Sequence, residues 1–332
     1  MPGISERDYP AILRRPLYRG GPEVGVVGFG TWGVGGATPG NTSYGATDDS
    51  ISISALQRAH ELGISFFDTS PAYGDGHSER LIGRALGAKR AGSVISSKVG
   101  IASWRDAQDF SAAAIRASLR GTLERLGTDH LDVLFLHSPS AKALAESGPT
   151  FDTLDSLVTD GVIGTWGISC KAPADALEFL RHRRVDLFQV NLNMLDQRAV
   201  QTGLLDLAFR EGIGIVARTP LCFGFLTGLV NEDTDFVEGD HRRGWSRTQR
   251  AKWADGARKM MAAVGAAPGD EATVAALRFC LSFPAVSCVL PGALTAREVE
   301  AHALAGRLGA LPEETRGTIM RIYACNEFFV RG

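Results

Sequence analysis

Short apolar runs of strand length alternate with amphipathic helical stretches along most of the chain. The runs are Val24–Phe29, Ser65–Asp68, Val94–Lys98, Leu131–His137, Gly164–Ser169, Asp186–Asn191, Gly214–Arg218 and Ser287–Leu290. Between the first two, Ile51, Ala55, Ala59 and Leu62 fall on one helical face, and Gly63 stands where a C-cap glycine belongs. Ile115, Leu119, Leu123 and Leu126 repeat that spacing, with Ser111 as N-cap and Gly127 as stop. Ser78 and Glu79 open a shorter helix that runs through Leu86 and ends at Gly87.

Strands separated by helices imply parallel pairing, because a parallel strand needs a crossover of about a dozen residues or more. Eight such strands at fairly even spacing predict an α/β fold closed as a (β/α)8 TIM barrel, in preference to an open doubly wound sheet. No Pro/Ser-rich linker divides the chain, so one domain is expected over 1–332. Two segments stand outside the repeat. An N-terminal hairpin and first strand are expected over about 14–27, with Arg15–Gly25 able to plug the barrel floor. Cys222–Trp253, with Gly224, Gly228, Gly239 and Gly244, is expected to be a long lid-like loop over the C-terminal face.

The 332 residues carry 35 Lys+Arg against 37 Asp+Glu, a formal charge of −2, which removes the blanket electrostatic case for a nucleic-acid partner. Residues 241–253 place His241, Arg242, Arg243, Arg247, Arg250 and Lys252 among Trp245 and Trp253. The competing readings there are a partly solvated lid, a clamp on phosphates and a nucleic-acid patch, the lid being preferred. Five cysteines without a CxxC pair read as reduced thiols, with no metal site. The amino terminus has no apolar signal-type run and no stretch is long enough to span a membrane, so a cytoplasmic protein is expected.

Several strand runs end in a polar residue: Asp68, Lys98, His137, Ser169, Gln189 and Arg218. In a barrel the C-terminal strand ends converge on one face, where such enzymes place their chemistry. Taken singly, Asp68 reads equally as an N-cap, Lys98 as a solvated loop residue and His137 as a bonded core histidine. As a set, with Tyr73 five residues past Asp68, they describe a proton-transfer site. An ammonium beside Tyr73 is expected to pull its pKa down towards working pH, and Asp68 to pair with Lys98. The site has no reductant of its own.

At this point the chain resembles a known family. Asp68-Thr69-Ser70-Pro71-Ala72-Tyr73-Gly74, then Gly76, Ser78-Glu79 and Leu81, is similar to the signature of the aldo-keto reductases. So is Leu119–Leu136, with Leu126-Gly127-Thr128-Asp129 leading into Leu131-Asp132 and His137. Gly30-Thr31-Trp32-Gly33, Gly167-Ile168-Ser169, Gln189-Val190-Asn191, Pro220-Leu221 with Leu226-Thr227-Gly228, and Val289-Leu290-Pro291-Gly292-Ala293 extend the resemblance in order along nearly the whole chain.

The resemblance implies a (β/α)8 barrel that binds NADPH, with NADH the alternative, and reduces an aldehyde or ketone, a sugar-like carbonyl among them. It makes Tyr73 the general acid, Lys98 and Asp68 the residues that tune it, and His137 the group that orients the carbonyl. Trp32 and Trp104 become substrate walls, with Gly30 and Thr31 in the first loop beside the nicotinamide. Ser169, Cys170 and Gln189 take the carboxamide positions, Cys170 standing where an asparagine is usual. Arg218 stands where an aromatic often stacks on the ring. Thr219, Pro220, Leu221, Gly224 and Leu226 fall along the pyrophosphate. Gly292, Ala293, Thr295, Arg297, Glu298 and His302 fall at the adenosine end. There Glu298, standing where arginine or glutamine is usual, repels a 2′-phosphate unless Arg297 turns inward.

Gly28-Phe29-Gly30-Thr31-Trp32-Gly33 also fits the G-x-G-x-x-G pattern of a Rossmann fold, but that motif must open a helix, and Val34–Gly45 is too rich in Gly, Pro, Thr and Asn to start one. Some proteins of the resembled family serve as cofactor-binding regulatory subunits with little turnover, and that is the alternative function. An unrelated barrel, such as a sugar isomerase or lyase, wants phosphate-binding glycines after the last two strands; Gly292 is present there, but metal-ligating carboxylates are not evident at strand ends beyond Asp68. Oligomeric state is left open.

Overall fold

The computed structural model describes residues 10–40, 42–140, 144 and 148–330. The expected absence of a signal-type run, and the ends of the expected 1–332 domain, fall on residues 1–9 and 331–332, outside the described residues. A short antiparallel hairpin, β1 (Arg14–Pro16) and β2 (Glu23–Gly25), precedes a parallel eight-stranded sheet. Its strands are β3 (Phe29–Gly30), β4 (Phe66–Asp68), β5 (Val94–Val99), β6 (Leu131–His137), β7 (Ile163–Ser169), β8 (Leu187–Asn191), β9 (Gly214–Arg218) and β10 (Val286–Leu290), paired in chain order. The bridges Val27 to Val289 and Gly30 to Gly292 join the first strand to the last and close the barrel. Helices fill the connections, as parallel pairing requires.

The hairpin seals one end of the barrel. Leu17 and Val24 are wholly buried among Phe66, Val133, Phe135, Leu187 and Val216, and Ser287 Oγ donates to the Leu17 carbonyl at 2.8 Å. The expected strand Val24–Phe29 is therefore divided: Val24 and Gly25 belong to the hairpin, while Val27 bridges to Val289 and Phe29 opens the barrel strand. A run that is apolar throughout gives no sign of the break between two different buried surroundings.

The first helix (Asp49–Glu61) starts on Asp48, whose side chain accepts from the Ser50 and Ile51 amides. It buries Ser52, Ala55, Leu56 and Ala59, whereas Ile51, expected on the inner face, is half exposed in the first turn. The third, Ala112–Leu126, is capped by Ser111 and buries Ile115, Leu119 and Leu126 as the spacing predicts. Asp49 is the first helical residue after the glycine-rich run, so no helix opens on a pyrophosphate there. Among the described residues no helix is long and apolar enough to cross a membrane.

Candidate functional site

The parallel register sets the polar strand ends side by side. Asp68 pairs with Ser96 on β5, and His137 with Ser169 on β7. Lys98 is fully buried, and its Nζ donates to Asp68 Oδ2 at 2.6 Å and to the Thr69 carbonyl at 2.7 Å. The other Asp68 oxygen accepts from Ser96 Oγ at 2.7 Å and Gln189 Nε2 at 3.0 Å. Gln189 in turn accepts from Ser169 Oγ at 3.0 Å. Buried polar groups are tolerable only when bonded in this way.

Tyr73 sits in the loop after β4, its ring 4.8 Å from Lys98 Nζ, 6.3 Å from the Trp104 ring and 6.3 Å from that of His137. The loop is fixed by Ser78, whose hydroxyl bonds Thr69 Oγ1 at 2.8 Å and Thr31 Oγ1 at 2.5 Å. Gly74 has φ +63°, and a Cβ there would lie 2.0 Å from the Gly35 carbonyl oxygen, so the first and second barrel loops touch only because this residue is glycine.

Burial pushes the Tyr73 phenol above its ordinary pKa, and the Lys98 ammonium offsets that only in part. The expected fall towards working pH is thus corrected: desolvation of a phenolate outweighs one nearby cation. Burial opposes charge on Lys98 as well, but Asp68 and Tyr73 outweigh it and hold the ammonium above the usual lysine range. His137 is pushed well below its ordinary value, first by burial and then by Lys98 and Arg218, so its imidazole is neutral. Its Nδ1 lies 3.3 Å from Ser70 Oγ.

These groups border a cavity of about 480 Å³. Of the residues singled out in the sequence, Gly30, Thr31, Trp32, Asp68, Tyr73, Trp104, His137, Gln189, Arg218, Thr219, Pro220, Leu221, Gly224, Gly292, Ala293 and Glu298 line it. Ser169 and Cys170 are buried behind Gln189 and Arg218: Ser169 bonds Gln189, and the Cys170 carbonyl accepts from Arg218 Nη2 at 2.9 Å. Leu226 is buried, with Thr227 in the wall nearby. Thr295 is the N-cap of the helix Ala296–Leu308, and His302 is buried inside that helix, its pKa pushed down to about 3 by desolvation. Arg297 is 85% exposed and lies 3.7 Å from Asp270, away from the cavity.

Glu298 is the reciprocal partner in that cap: its Oε2 accepts from the Leu294 and Thr295 amides at 2.8 and 3.0 Å. Thr295-Ala296-Arg297-Glu298 is thus a capping box at the cavity rim. Tyr44 and Phe223 line the cavity without having been singled out in the sequence, whereas Asn191 stands in the Gln189-Val190-Asn191 motif and Arg242 in the basic run. The Asn191 Oδ1 is buried without a partner, an acceptor awaiting a donor. Thr219, Cys222 and Phe223 all have positive φ, a strained turn held where Asn193 Nδ2 donates to the Thr219 carbonyl at 3.0 Å.

The lid is ordered and clasped to the first barrel loop. It comprises short 3-10 turns at Cys222–Thr227 and His241–Gly244, and its expected end, Trp253, lies within a long helix, Arg247–Val264. The His241 amide and Nδ1 both bond the Ser43 carbonyl, at 2.8 and 2.9 Å. Arg242 pairs in a fork with Asp240 and stacks between Tyr44 and Phe236, its guanidinium carbon 4.7 and 4.3 Å from the ring centroids. Arg247 pairs with Asp233, while Arg250 and Lys252 donate to the Thr234 and Phe329 carbonyls. The basic run is therefore spent largely on folding the lid rather than displayed as a patch.

Residues 26–324 match the model of the aldo/keto reductase family. Over 234 residues the chain is 32% identical to an NADH-specific methylglyoxal reductase of Escherichia coli, covering 65% of this chain and 69% of that one. It is 29% identical to a probable voltage-gated potassium channel subunit beta of Arabidopsis thaliana, over 86% and 88% of the two chains. The fold superposes with a TM-score of 0.75 and 25% identity on an aldo-keto reductase from Bacillus halodurans in its holo form, over 94% and 96%. The glycerol dehydrogenase of Gluconobacter oxydans gives 0.74 and 26%, over 94% and 95%. A closed eight-stranded barrel with Asp68, Tyr73, Lys98 and His137 gathered at its strand ends is in keeping with those likenesses, and the chain belongs to the aldo/keto reductase family.

Proposed function

We propose that this oxidoreductase reduces a small polar aldehyde or ketone to an alcohol, with Tyr73 as general acid and a nicotinamide dinucleotide as the source of hydride. The observation that carries the reading is the Asp68–Lys98 pair buried beneath Tyr73 and His137 at the end of the cavity. The cleft suits such a cofactor: at the reacting end an unpartnered Asn191 Oδ1 and a buried Arg218 Nε answer the donor and acceptor of a carboxamide. Arg218, Asn191 and Gln189 would hold that end, Thr219–Leu221, Gly224 and Thr227 the middle, and Gly292–Leu294 with Glu298 the adenosine. The bound cofactor supplies the hydride, which no side chain can deliver.

The protein's own residues do the rest. The phenol of Tyr73, held protonated by burial, donates to the carbonyl oxygen as negative charge develops there. Lys98 stabilises the phenolate left behind, and Asp68 keeps Lys98 charged in a site that otherwise disfavours charge. Neutral His137 is available to hydrogen-bond and orient the carbonyl without competing as an acid. Trp32 and Trp104 flank Tyr73 and exclude water from that end.

At the adenosine end we favour NADH over NADPH. The Glu298 carboxylate borders the cavity and Arg297 is turned to Asp270, so neither residue offers a 2′-phosphate a cation. The name of the Escherichia coli relative points the same way. The test is NADH oxidation followed by absorbance with methylglyoxal or an aromatic aldehyde, for wild type and Tyr73→Phe, with cofactor binding followed by tryptophan fluorescence. General acid catalysis is worth about 10²–10⁴ in rate, so Tyr73→Phe should lose that much turnover with cofactor affinity unchanged. Cofactor binding with no turnover in either protein would favour a regulatory binding role instead.

A further inference from the structure

Arg218 is the one charged group of the cavity floor that the proton-transfer scheme leaves unused. It ends β9, lines the cavity, and donates from Nη2 to the Cys170 carbonyl, while its Nε is buried with no partner. Among the described residues no carboxylate lies within ion-pair distance of it. Its two acidic neighbours are already spent: Asp68 holds Lys98 at 2.6 Å, and Asp196 holds Arg198 at 2.6 Å. One positive charge is therefore left over beside Tyr73 and His137, in surroundings where water screens it poorly.

That surplus matters because of what hydride transfer does to charge. A reduced nicotinamide ring is neutral, and on giving up hydride it becomes a cation. The hydride must reach the carbon whose oxygen takes the Tyr73 proton, so the ring has to lie in the same end of the cavity as Arg218. We propose that Arg218 sets the redox preference of the pocket, its uncompensated charge disfavouring the oxidised nicotinamide while leaving the reduced form untouched. At separations of about 6–8 Å and an effective dielectric near 20, two unit charges repel enough to shift an equilibrium roughly 30- to 100-fold.

The consequence is directional. The oxidised cofactor is weakened in the pocket as it forms, which speeds its departure and turns the protein towards carbonyl reduction rather than alcohol oxidation. A phenol held protonated at Tyr73 favours the same direction by acting on the proton rather than the ring, burial keeping it protonated against the opposing pull of the Arg218 charge. Lys98 does not serve in place of Arg218, because its charge is cancelled at contact by Asp68.

The inference rests on the proposed nicotinamide cofactor and is tested by binding rather than turnover. Dissociation constants for NADH and NAD⁺ would be measured by fluorescence and calorimetry for wild type, Arg218→Gln and Arg218→Lys. Glutamine removes the charge and, being shorter, the Cys170 contact made by Nη2 as well, whereas lysine keeps the charge, so the difference between the two variants isolates the charge. Any carboxamide contact of Arg218 is common to both cofactor forms and cancels in their ratio, so Arg218→Gln should shift the ratio of the two dissociation constants at least tenfold in favour of NAD⁺, and Arg218→Lys should keep the wild-type ratio. An unchanged ratio in Arg218→Gln, or equal loss of both affinities, overturns the charge effect while leaving the reductase reading intact. Wild type that binds neither cofactor overturns both. Should Arg218→Gln fail to fold, Arg218→Met carries the same measurement.

Discussion

The floor of the cavity and its rim are built on opposite plans. On the floor, polar groups at four of the strand ends are buried and bonded to one another: Asp68 alone takes Lys98, Ser96 and Gln189. The rim is loops clasped across long sequence distances, such as Ser43 to His241, with charges spent on pairs like Asp240–Arg242 and on the helix cap at Glu298. On the floor an ionic pair is locked to the barrel, so breaking it should cost the whole fold. At the rim a pair holds one segment, so breaking it should open that segment and leave the barrel standing. Precision comes from the first plan, and adjustable access from the second.

The largest effect should come from Lys98→Met. It leaves the Asp68 carboxylate buried without its cation, and removing one partner of a buried pair costs about 3–5 kcal/mol. The thermal midpoint, followed by circular dichroism, should fall by roughly 10 °C. Lys98→Met combined with Asp68→Leu should recover part of that loss, because no lone charge remains. A single variant as stable as wild type would mean the floor is not locked, and the contrast with the rim would fail.

Asp240→Ala is the counterpart at the rim. Asp240 is buried, receives the Arg242 backbone and guanidinium, and bridges to Ser43 and Tyr44 in the first loop. Removing a buried acceptor of this kind costs about 1–3 kcal/mol. The expected result is tryptic cleavage within residues 222–246 about tenfold faster, weaker cofactor binding, and a thermal midpoint within a few degrees of wild type. A fall in the midpoint as deep as that of Lys98→Met would show that lid and barrel unfold together.

The same contrast explains how far the sequence could be read. Floor residues announce themselves because each strand is a short apolar run, and a polar residue at its C-terminal end falls on a shared face whatever the loops do. The partners of the rim lie too far along the chain to be paired by spacing: His241 meets Trp32 and Tyr44, some two hundred residues earlier, at ring distances of 4.6 and 4.9 Å. Its basic run accordingly reads as lid in preference to phosphate clamp or nucleic-acid patch on net charge alone, with no local signal of the pairs it makes. The split of Val24–Phe29 between hairpin and barrel was hidden for a different reason, since both surroundings demand the same apolar residues. A lowered Tyr73 pKa is expected from the sequence and a raised one is found, because the sequence shows the neighbouring lysine and not the depth of burial that outweighs it.

Glu298 tests the rim at its most subtle. The residues Thr295-Ala296-Arg297-Glu298 carry two readings, a helix-capping box and the adenosine contact proposed above; the carboxylate closes the cap and also borders the cavity. Glu298→Gln separates them. The amide oxygen of glutamine can still accept from the Leu294 and Thr295 amides, so the cap should persist and stability should change by less than about 1 kcal/mol, the part due to charge at a helix N-terminus. The negative charge, however, is gone. The affinity for NADPH should rise relative to NADH by roughly three- to tenfold in parallel fluorescence titrations, with the thermal midpoint nearly unchanged. If the ratio of the two affinities does not move, the carboxylate serves the helix alone, and discrimination between the cofactors must come from the shape of the rim rather than from its charge.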